Sequence, residues 1–369
     1  MTSEQAPRRQ RTKPRYALGC ATLLSLLSGC GGGGSDPAPP APVVHTYAWT
    51  QMTPQAAFAG RDGAGLLAFN SRLWLLGGWR WPSNGLPADW NGYETTSEVW
   101  SSADGQNWTL ETVAPWEGRH MSGWAVLNGS LYVVGGDDND GHYQPNVWSS
   151  PDGKNWTEVA NDVPWGERAL HYTVSFNGAL YVIGGQQLPA LLNPPPSPYP
   201  TAPVYYDDVW RSNDGAHWSQ VGTIPHALGM ICGSAVFNGE LWVIGGGTYG
   251  DDTLGAAGEA YSEVWSSADG VHWTQHANAP WPVRRYHNLT VFDGELFVMA
   301  GVGNDGSSDK ADVWYSADGD TWKELPGTPW VARHAASATV LNGALYVTGG
   351  TDDGQLQHND VWTLKASGP

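Results

Sequence analysis

Five arginines recur at one position relative to short turns, and their type and spacing could support chemistry. Each stands nine residues before a turn dipeptide: Arg61, Arg119, Arg168, Arg284 and Arg333. Close to this position in each segment come Asp62, His120, His171, Cys232, His287 and His334. Guanidinium groups bind carboxylate, sulfate or phosphate through paired, charge-assisted hydrogen bonds. The pattern therefore predicts a cationic site for an anionic ligand, with imidazoles beside it.

The same arginines have a second interpretation, which the sequence leaves open. Acidic residues stand directly before recurring Val-Trp pairs, at Asp208, Glu263, Asp312 and Asp360. Arginines that bond these carboxylates, or backbone carbonyls, would join parts of the fold and leave no charge for a ligand. Gly229 and Cys232 interrupt the series, and this gap is either sequence drift or the open side of a pocket.

The elements that must position these residues are six copies of one repeat. The turn dipeptides are Asn70-Ser71, Asn128-Gly129, Asn177-Gly178, Asn238-Gly239, Asp293-Gly294 and Asn342-Gly343. The next apolar run ends at Gly77-Gly78, Gly135-Gly136, Gly184-Gly185, Gly245-Gly246, Ala300-Gly301 and Gly349-Gly350. A third run carries Val99-Trp100, Val147-Trp148, Val209-Trp210, Val264-Trp265, Val313-Trp314 and Val361-Trp362. The turns recur every 49 to 61 residues, and short strands repeated at this spacing predict an all-β propeller of six blades.

This pattern resembles the kelch family of β-propellers over residues 46–365. Kelch repeats commonly carry Arg-x-x-His ahead of the turn, and Arg168 to His171 and Arg284 to His287 match that motif. The sequence departs from the family in two ways. Ala300 replaces the first Gly of the fifth repeat, and Val-Trp pairs replace the family's usual Tyr before the second Trp.

The two ends of the repeat region complement each other. The sixth repeat stops near Lys365 without a closing strand, whereas Trp49 matches Trp108 and Trp156 in register. The N-terminal strand is therefore predicted to complete the last blade and to close the ring, which leaves no exposed sheet edge.

A second motif, Ser-x-Asp-Gly-x-x-Trp, precedes the fourth strand in five repeats. It occupies residues 102–108, 150–156, 212–218, 267–273 and 316–322. It resembles the Asp-box of sialidases but has one residue fewer between Asp and Gly. Because Asp-Gly forms hairpin turns and Trp fills the space between sheets, we predict that this motif is structural.

The N-terminus predicts export. Residues 1–29 combine five basic residues with a short apolar run. The sequence at their junction with the next segment, Leu27-Ser28-Gly29-Cys30, resembles the lipobox of bacterial lipoproteins. That resemblance implies a lipidated Cys30, a Gly- and Pro-rich tether over residues 30–45 and a propeller over 46–369. Gly31 after the Cys favours the outer membrane. An ordinary cleaved signal peptide is the alternative.

Charge and cysteine usage limit the partners. The chain carries a formal net charge of −18, which makes nucleic acid a poor partner. Its three cysteines include one in the signal and one at the lipobox, so no disulfide framework is expected. The residues predict no metal site and no cofactor, and we expect a monomer.

The loops between second and third strands should share one face with the arginines. Loop 79–97 holds Trp79, Trp81, Trp90 and Tyr93, loop 186–207 holds Tyr199, Tyr205 and Tyr206, and loop 248–262 holds Tyr249 and Tyr261. Aromatic rings above a cationic centre suit an anionic carbohydrate, but such loops also form protein interfaces. The turn at Asp137 to Asp140 either binds Ca²⁺ or is a solvated loop.

We therefore predict a membrane-anchored recognition module for an anionic glycan or a protein partner. The alternative is a carbohydrate-active enzyme similar to sialic acid mutarotases, in which one of the histidines named above acts as an acid or base. A galactose oxidase-like copper enzyme is a remote alternative, because Cys232 is the only thiol that could form its Cys-Tyr crosslink. The sequence contains no nucleophile elbow, phosphate loop or zincin motif.

Overall fold

A computed structural model describes seven stretches of the chain, all within one compact unit, Val44–Pro369. They are residues 46–81, 94–138, 142–187, 203–225, 234–248, 258–303 and 308–367. Several predicted features lie outside these residues: the signal at 1–29, the whole tether at 30–45 with Cys30, Trp90, Tyr93, Tyr199, Gly229, Cys232, Tyr249 and Asp140. Within the described stretches, no helix has the length and apolarity that a membrane span requires.

The described secondary structure consists of β-strands, and the chain order of the strands is also the blade order. The first strand is β1 (Thr46–Thr53). Blade 1 has β2 (Gly65–Phe69), β3 (Arg72–Leu76), β4 (Trp79–Arg80), β5 (Glu94–Thr95), β6 (Glu98–Ser102) and β7 (Thr109–Val113). Blade 2 has β8 (Gly123–Leu127), β9 (Ser130–Val134), β10 (Val147–Ser150) and β11 (Thr157–Ala160). Blade 3 has β12 (Tyr172–Phe176), β13 (Ala179–Ile183), β14 (Gln186–Gln187), β15 (Val204–Tyr205), β16 (Asp208–Ser212) and β17 (Trp218–Thr223).

The remaining blades follow the same plan. Blade 4 has β18 (Ser234–Phe237), β19 (Glu240–Ile244), β20 (Gly247–Thr248), β21 (Glu259–Ala260), β22 (Val264–Ser267) and β23 (Thr274–Gln275). Blade 5 has β24 (Arg284–Arg285), β25 (Asn288–Phe292), β26 (Glu295–Met299), β27 (Val302–Gly303), β28 (Val313–Ser316) and β29 (Lys323–Leu325). Blade 6 has β30 (His334–Leu341), β31 (Ala344–Thr351) and β32 (Val361–Ser367), and its fourth strand is β1, which pairs antiparallel with β32.

The six sheets form a ring around the first strand of each blade. These strands contact one another in the closed order β2, β8, β12, β18, β25, β30 and back to β2. They line a central cavity of about 530 Å³, and the described residues that line it include no Arg, Lys, Asp or Glu. The predicted all-β, six-bladed propeller is confirmed.

The hydrophobic core is divided into six clusters, one at each contact between neighbouring blades. In the cluster between blades 1 and 2, Trp74 and Leu76 pack with Leu131 and Val133. The second strand of each blade is buried on both faces, as the near-continuous apolar runs predict. Burial of these side chains at every contact stabilises the ring by the hydrophobic effect.

The turn dipeptides lie where they were predicted. Asn128 and Gly129 have φ values of 48° and 75° and join β8 to β9. Two successive residues with positive φ match the twist of a two-residue hairpin, which explains the Asn-Gly sequence.

The Ser-x-Asp-Gly-x-x-Trp motif also builds the fold. In blade 2 the Ser150 hydroxyl accepts a hydrogen bond from the Gly153 N–H, and Asp152 accepts bonds from the N–H groups of Lys154 and Asn155. A Cβ on Gly153 would lie 2.1 Å from the Trp74 ring of blade 1. Glycine is therefore required, because the turn packs directly on an aromatic side chain of the preceding blade.

Candidate functional site

The segment ahead of each first strand has one shared backbone feature. The second residue after the recurring arginine has a positive φ, at Gly63, Met121, Leu170, Tyr286 and Ala335. A residue in this left-handed region changes the local direction of the backbone. As a result, the side chains one and three residues after the arginine point to different surroundings.

The five arginines lie inside their blades. Their side chains are at most 1% exposed. Each Nη1 donates a hydrogen bond of 3.0 to 3.1 Å to the carbonyl that ends the second strand, at Gly77, Gly135, Gly184, Ala300 and Gly349. Each arginine therefore connects the entry to the first strand with the exit from the second.

Four of these guanidinium groups also pair with a carboxylate. The pairs are Arg61 with Glu98 at 2.7 Å, Arg168 with Asp208 at 2.5 Å, Arg284 with Asp312 at 2.5 Å and Arg333 with Asp360 at 2.6 Å. The same carboxylate accepts a hydrogen bond from the indole N–H of Trp100, Trp210, Trp314 or Trp362. A ligand anion could reach these guanidinium groups only by displacing a partly buried carboxylate. The geometry therefore favours the structural interpretation of these four arginines.

The histidines three residues after the arginine join neighbouring blades. The Nε2 of His171 donates to the Val134 carbonyl of blade 2 at 3.1 Å, and the Nε2 of His287 donates to the Ile244 carbonyl of blade 4 at 2.8 Å. Burial lowers the pKa of both imidazoles to about 3. Both rings are therefore neutral at physiological pH and carry no charge for a ligand.

The residues directly after the arginines form a different group. We call Asp62, His120 and His334, together with Asp137 and Asp309, the mouth cluster, because it lies ahead of the innermost strands. His120 Nδ1 lies 2.5 Å from Asp137 Oδ1, and His334 Nδ1 lies 2.7 Å from Asp309 Oδ1. Asp62 accepts a 2.5 Å hydrogen bond from the Thr351 hydroxyl. No described residue hydrogen-bonds the Nε2 of either ring, and the side chains of His120 and His334 are 12% and 23% exposed.

The electrostatics of the mouth cluster follow from burial and from these pairs. Burial raises the pKa of Asp62, and the imidazoles of His334 and His120 oppose that rise. Burial disfavours the charged form of His120, but Asp137 outweighs this effect and raises its pKa. Burial likewise disfavours the charged form of His334, but Asp309 outweighs this effect and raises its pKa. The cluster therefore keeps both imidazoles able to take up a proton near neutral pH.

Aromatic rings border the mouth cluster. The Trp79 ring centroid lies 6.3 Å from that of His120 and 5.6 Å from that of Trp81. The Tyr286 ring lies 5.5 Å from His334. Trp79, Trp81 and Tyr286 are half-buried. Rings of this kind stack on apolar surfaces, while the carboxylates beside them accept hydrogen bonds.

The structure brings together only some of the predicted site residues. His120 and His334 meet Asp62 at the mouth cluster, whereas His171, His287 and the arginines face the blades. Asp309 and Asp137 were not predicted as partners of the histidines, since both come from loops that the repeat alignment does not relate. Among the residues with described positions, no group of three or more His, Cys, Asp or Glu is placed to hold a metal ion.

A comparison with models of protein families and a comparison with curated proteins found no match to this chain. The likeness to kelch repeats therefore remains a resemblance of residues. The assignment as a six-bladed propeller rests on the observed sheets and on their closed ring of contacts.

Proposed function

We propose that the protein is a binding module that holds a carbohydrate at the mouth cluster. The observation that carries the proposal is the position of Trp79, a half-buried ring 6.3 Å from His120 and adjacent to the buried Asp62. A sugar ring combines an apolar face, which stacks on an aromatic side chain, with hydroxyl groups that donate to carboxylates.

The charges at the cluster favour a neutral sugar over an anionic one. Three carboxylates, Asp62, Asp137 and Asp309, surround two imidazoles. Four of the five arginines that would attract an anion are already paired with carboxylates. We therefore expect recognition through hydroxyl groups and the apolar face, and a protein partner or a sugar acid is an alternative outcome of the test.

Substitution of Trp79 by alanine is expected to weaken carbohydrate binding by about tenfold or more, because the stacking surface is lost. A glycan array probed with the full chain would identify the sugar, and calorimetry would give the affinities. Leu110→Ala is the matched control, since Leu110 is 42% exposed on the outermost strand of the same blade; this variant should bind as wild type.

Two results would contradict the proposal. One is an unchanged affinity in Trp79→Ala, and the other is a uronate bound much more tightly than its neutral counterpart. The same sugar followed by NMR addresses catalysis. Anomer exchange that the wild-type protein accelerates and His334→Gln does not would give the imidazoles an acid-base role.

We also propose that Cys30 anchors the propeller to a membrane, by its position in a lipobox-like sequence. A lipid chain on this residue, combined with the tether, would hold the propeller at the membrane surface of an exported protein. When the chain is expressed in a bacterial host, the wild type should incorporate labelled palmitate and Cys30→Ser should not. Equal labelling of both would rule this anchor out.

A further inference from the structure

The arginine of blade 2 differs from its four counterparts. Asn146 stands where the four other arginine-bearing blades have a carboxylate, and it accepts only the Nη1 of Arg119, at 2.9 Å. Nη1 also donates to the Gly135 carbonyl, and Nε donates to the Glu117 carbonyl. The side chain is fully buried, yet no described residue accepts a hydrogen bond from its Nη2. Blade 2 therefore contains a buried guanidinium with an unfilled donor.

A second buried donor lacks an acceptor at the same place. In blade 5, one oxygen of Asp312 accepts both Arg284 Nη2 and Trp314 Nε1, each at 2.8 Å. In blade 2 the equivalent indole nitrogen, Nε1 of Trp148, is buried and meets no acceptor among the described residues. Two donors that share one carboxylate oxygen elsewhere are thus both unsatisfied here, which is costly in a protein interior.

A third buried group of blade 2, the Gln144 side chain, is at the position that contacts the guanidinium in blade 3. In blade 3, the Tyr206 ring lies 3.6 Å from the Arg168 guanidinium. Gln144 holds the same position in blade 2, two residues before the residue that bonds the arginine. It is 1% exposed, and its side-chain amide has no described partner. Both its Nε2 and its Oε1 lack a hydrogen-bond partner among the described residues.

Among the described residues, no carboxylate forms a hydrogen bond with the Arg119 guanidinium. Burial lowers its pKa to about 10, and the carboxylates of Glu117, Glu158 and Asp138 act on it without a hydrogen bond. The group therefore stays protonated at neutral pH. A buried cation requires a counter-charge, because its transfer from water into the interior is otherwise strongly unfavourable.

We propose that blade 2 binds a small monovalent anion of the halide class, with Arg119 Nη2 and Trp148 Nε1 as its donors. The anion replaces the carboxylate oxygen that the four other arginine-bearing blades supply from their own residues. Its size follows from the single oxygen that it replaces. Its negative charge follows from the guanidinium, which has no carboxylate partner. A water molecule could accept the hydrogen bonds, but it would not neutralise the positive charge.

Thermal unfolding of the full chain tests this site, with sodium gluconate exchanged for sodium chloride at constant ionic strength. Between about 10 mM and about 300 mM chloride, the wild-type Tm should rise by about 2 °C. Asn146→Asp supplies the missing carboxylate, so its Tm in gluconate should exceed that of the wild type and should no longer depend on chloride. Equal wild-type Tm values in the two salts, or an undiminished rise in Asn146→Asp, would overturn the proposal.

Two further variants and a crystal sharpen the test. Asp312→Asn should create the same chloride dependence in blade 5. Asp140→Asn removes a carboxylate outside the described residues, and this variant should keep the chloride dependence of the wild type. A chloride dependence seen only after this change would assign the counter-charge to Asp140. Crystals grown in bromide should show an anomalous peak between Arg119 and Trp148, and its absence would contradict the site. None of these results bears on the mouth cluster.

Discussion

Replacement of Arg284 by methionine is expected to lower the free energy of unfolding by about 3–5 kcal/mol. The change removes both hydrogen bonds from the Arg284 guanidinium to Asp312, of 2.5 and 2.8 Å, and leaves the Ala300 carbonyl without its donor. A partly buried carboxylate that loses its counter-charge is costly, whereas the apolar stem of methionine keeps most of the packing. Chemical denaturation with linear extrapolation measures the loss.

Arg72→Met is the matched control. Arg72 is 37% exposed, lies 3.7 Å from Glu111 and donates to the Ser101 hydroxyl. Because Ser101 keeps its own hydrogen bond to Glu111, the loss of Arg72 should cost only about 1 kcal/mol. The double variant Arg284→Met/Asp312→Met should recover part of the stability, because neither ion then remains unpaired. An Arg284→Met protein that unfolds at the wild-type denaturant concentration would show that this arginine does not hold the blade together.

Acidification is expected to destabilise the propeller through His171 and His287. Burial lowers the pKa of each to about 3 in the folded protein, from an ordinary value of 6.5. The unfolded chain therefore binds protons that the folded chain does not. The stability that the two residues contribute is complete above pH 6.5 and is lost as the pH falls from there toward 3. At pH 5 the cost is about 2 kcal/mol for each histidine.

The double variant His171→Gln/His287→Gln isolates this effect, because a glutamine amide can still donate to the Val134 and Ile244 carbonyls. Between pH 7 and pH 5, the wild type should lose about 4 kcal/mol more than the variant. His217→Gln/His272→Gln is the control, since these side chains are 90% and 86% exposed. Parallel pH profiles for the wild type and the His171/His287 variant would contradict the assigned pKa values.

Much of the blade architecture could be predicted from the sequence, since its signals are local. Asn128-Gly129 requires two residues with positive φ, and the apolar run over Leu131 to Val134 is buried on both faces. Each signal depends on a few adjacent residues, and six copies of it reinforce one another. The prediction of six blades therefore needed no long-range information.

The composition of the mouth cluster could not be predicted from the sequence, because it depends on a backbone conformation that has no sequence signature. The left-handed position after the arginine is a glycine only at Gly63, and elsewhere it is Met121, Leu170, Tyr286 or Ala335. The sequence therefore grouped His120 with His171, although the first meets Asp137 and the second is buried against blade 2.

The exceptional arginine was visible in the sequence in retrospect. The residue before each third-strand Val-Trp pair is acidic in five repeats and is Asn146 in the second. The importance of Asn146 appears only in the structure. Arg119 Nη2 and Trp148 Nε1 lack an acceptor there, whereas the equivalent donors of blade 5 share one oxygen of Asp312. A single amide in place of a carboxylate thus separates Arg119 from the structural arginines.

We expect a sugar to bind at the mouth cluster and not at the buried arginines. A crystal structure of the full chain with the glycan selected on the array tests this most directly. It should show a sugar ring stacked on Trp79, with its hydroxyl groups in hydrogen-bond contact with Asp62 and with the Nε2 of His120 or His334. Sugar bound elsewhere on the propeller, or bound through Arg168 or Arg284 with their carboxylates displaced, would contradict it.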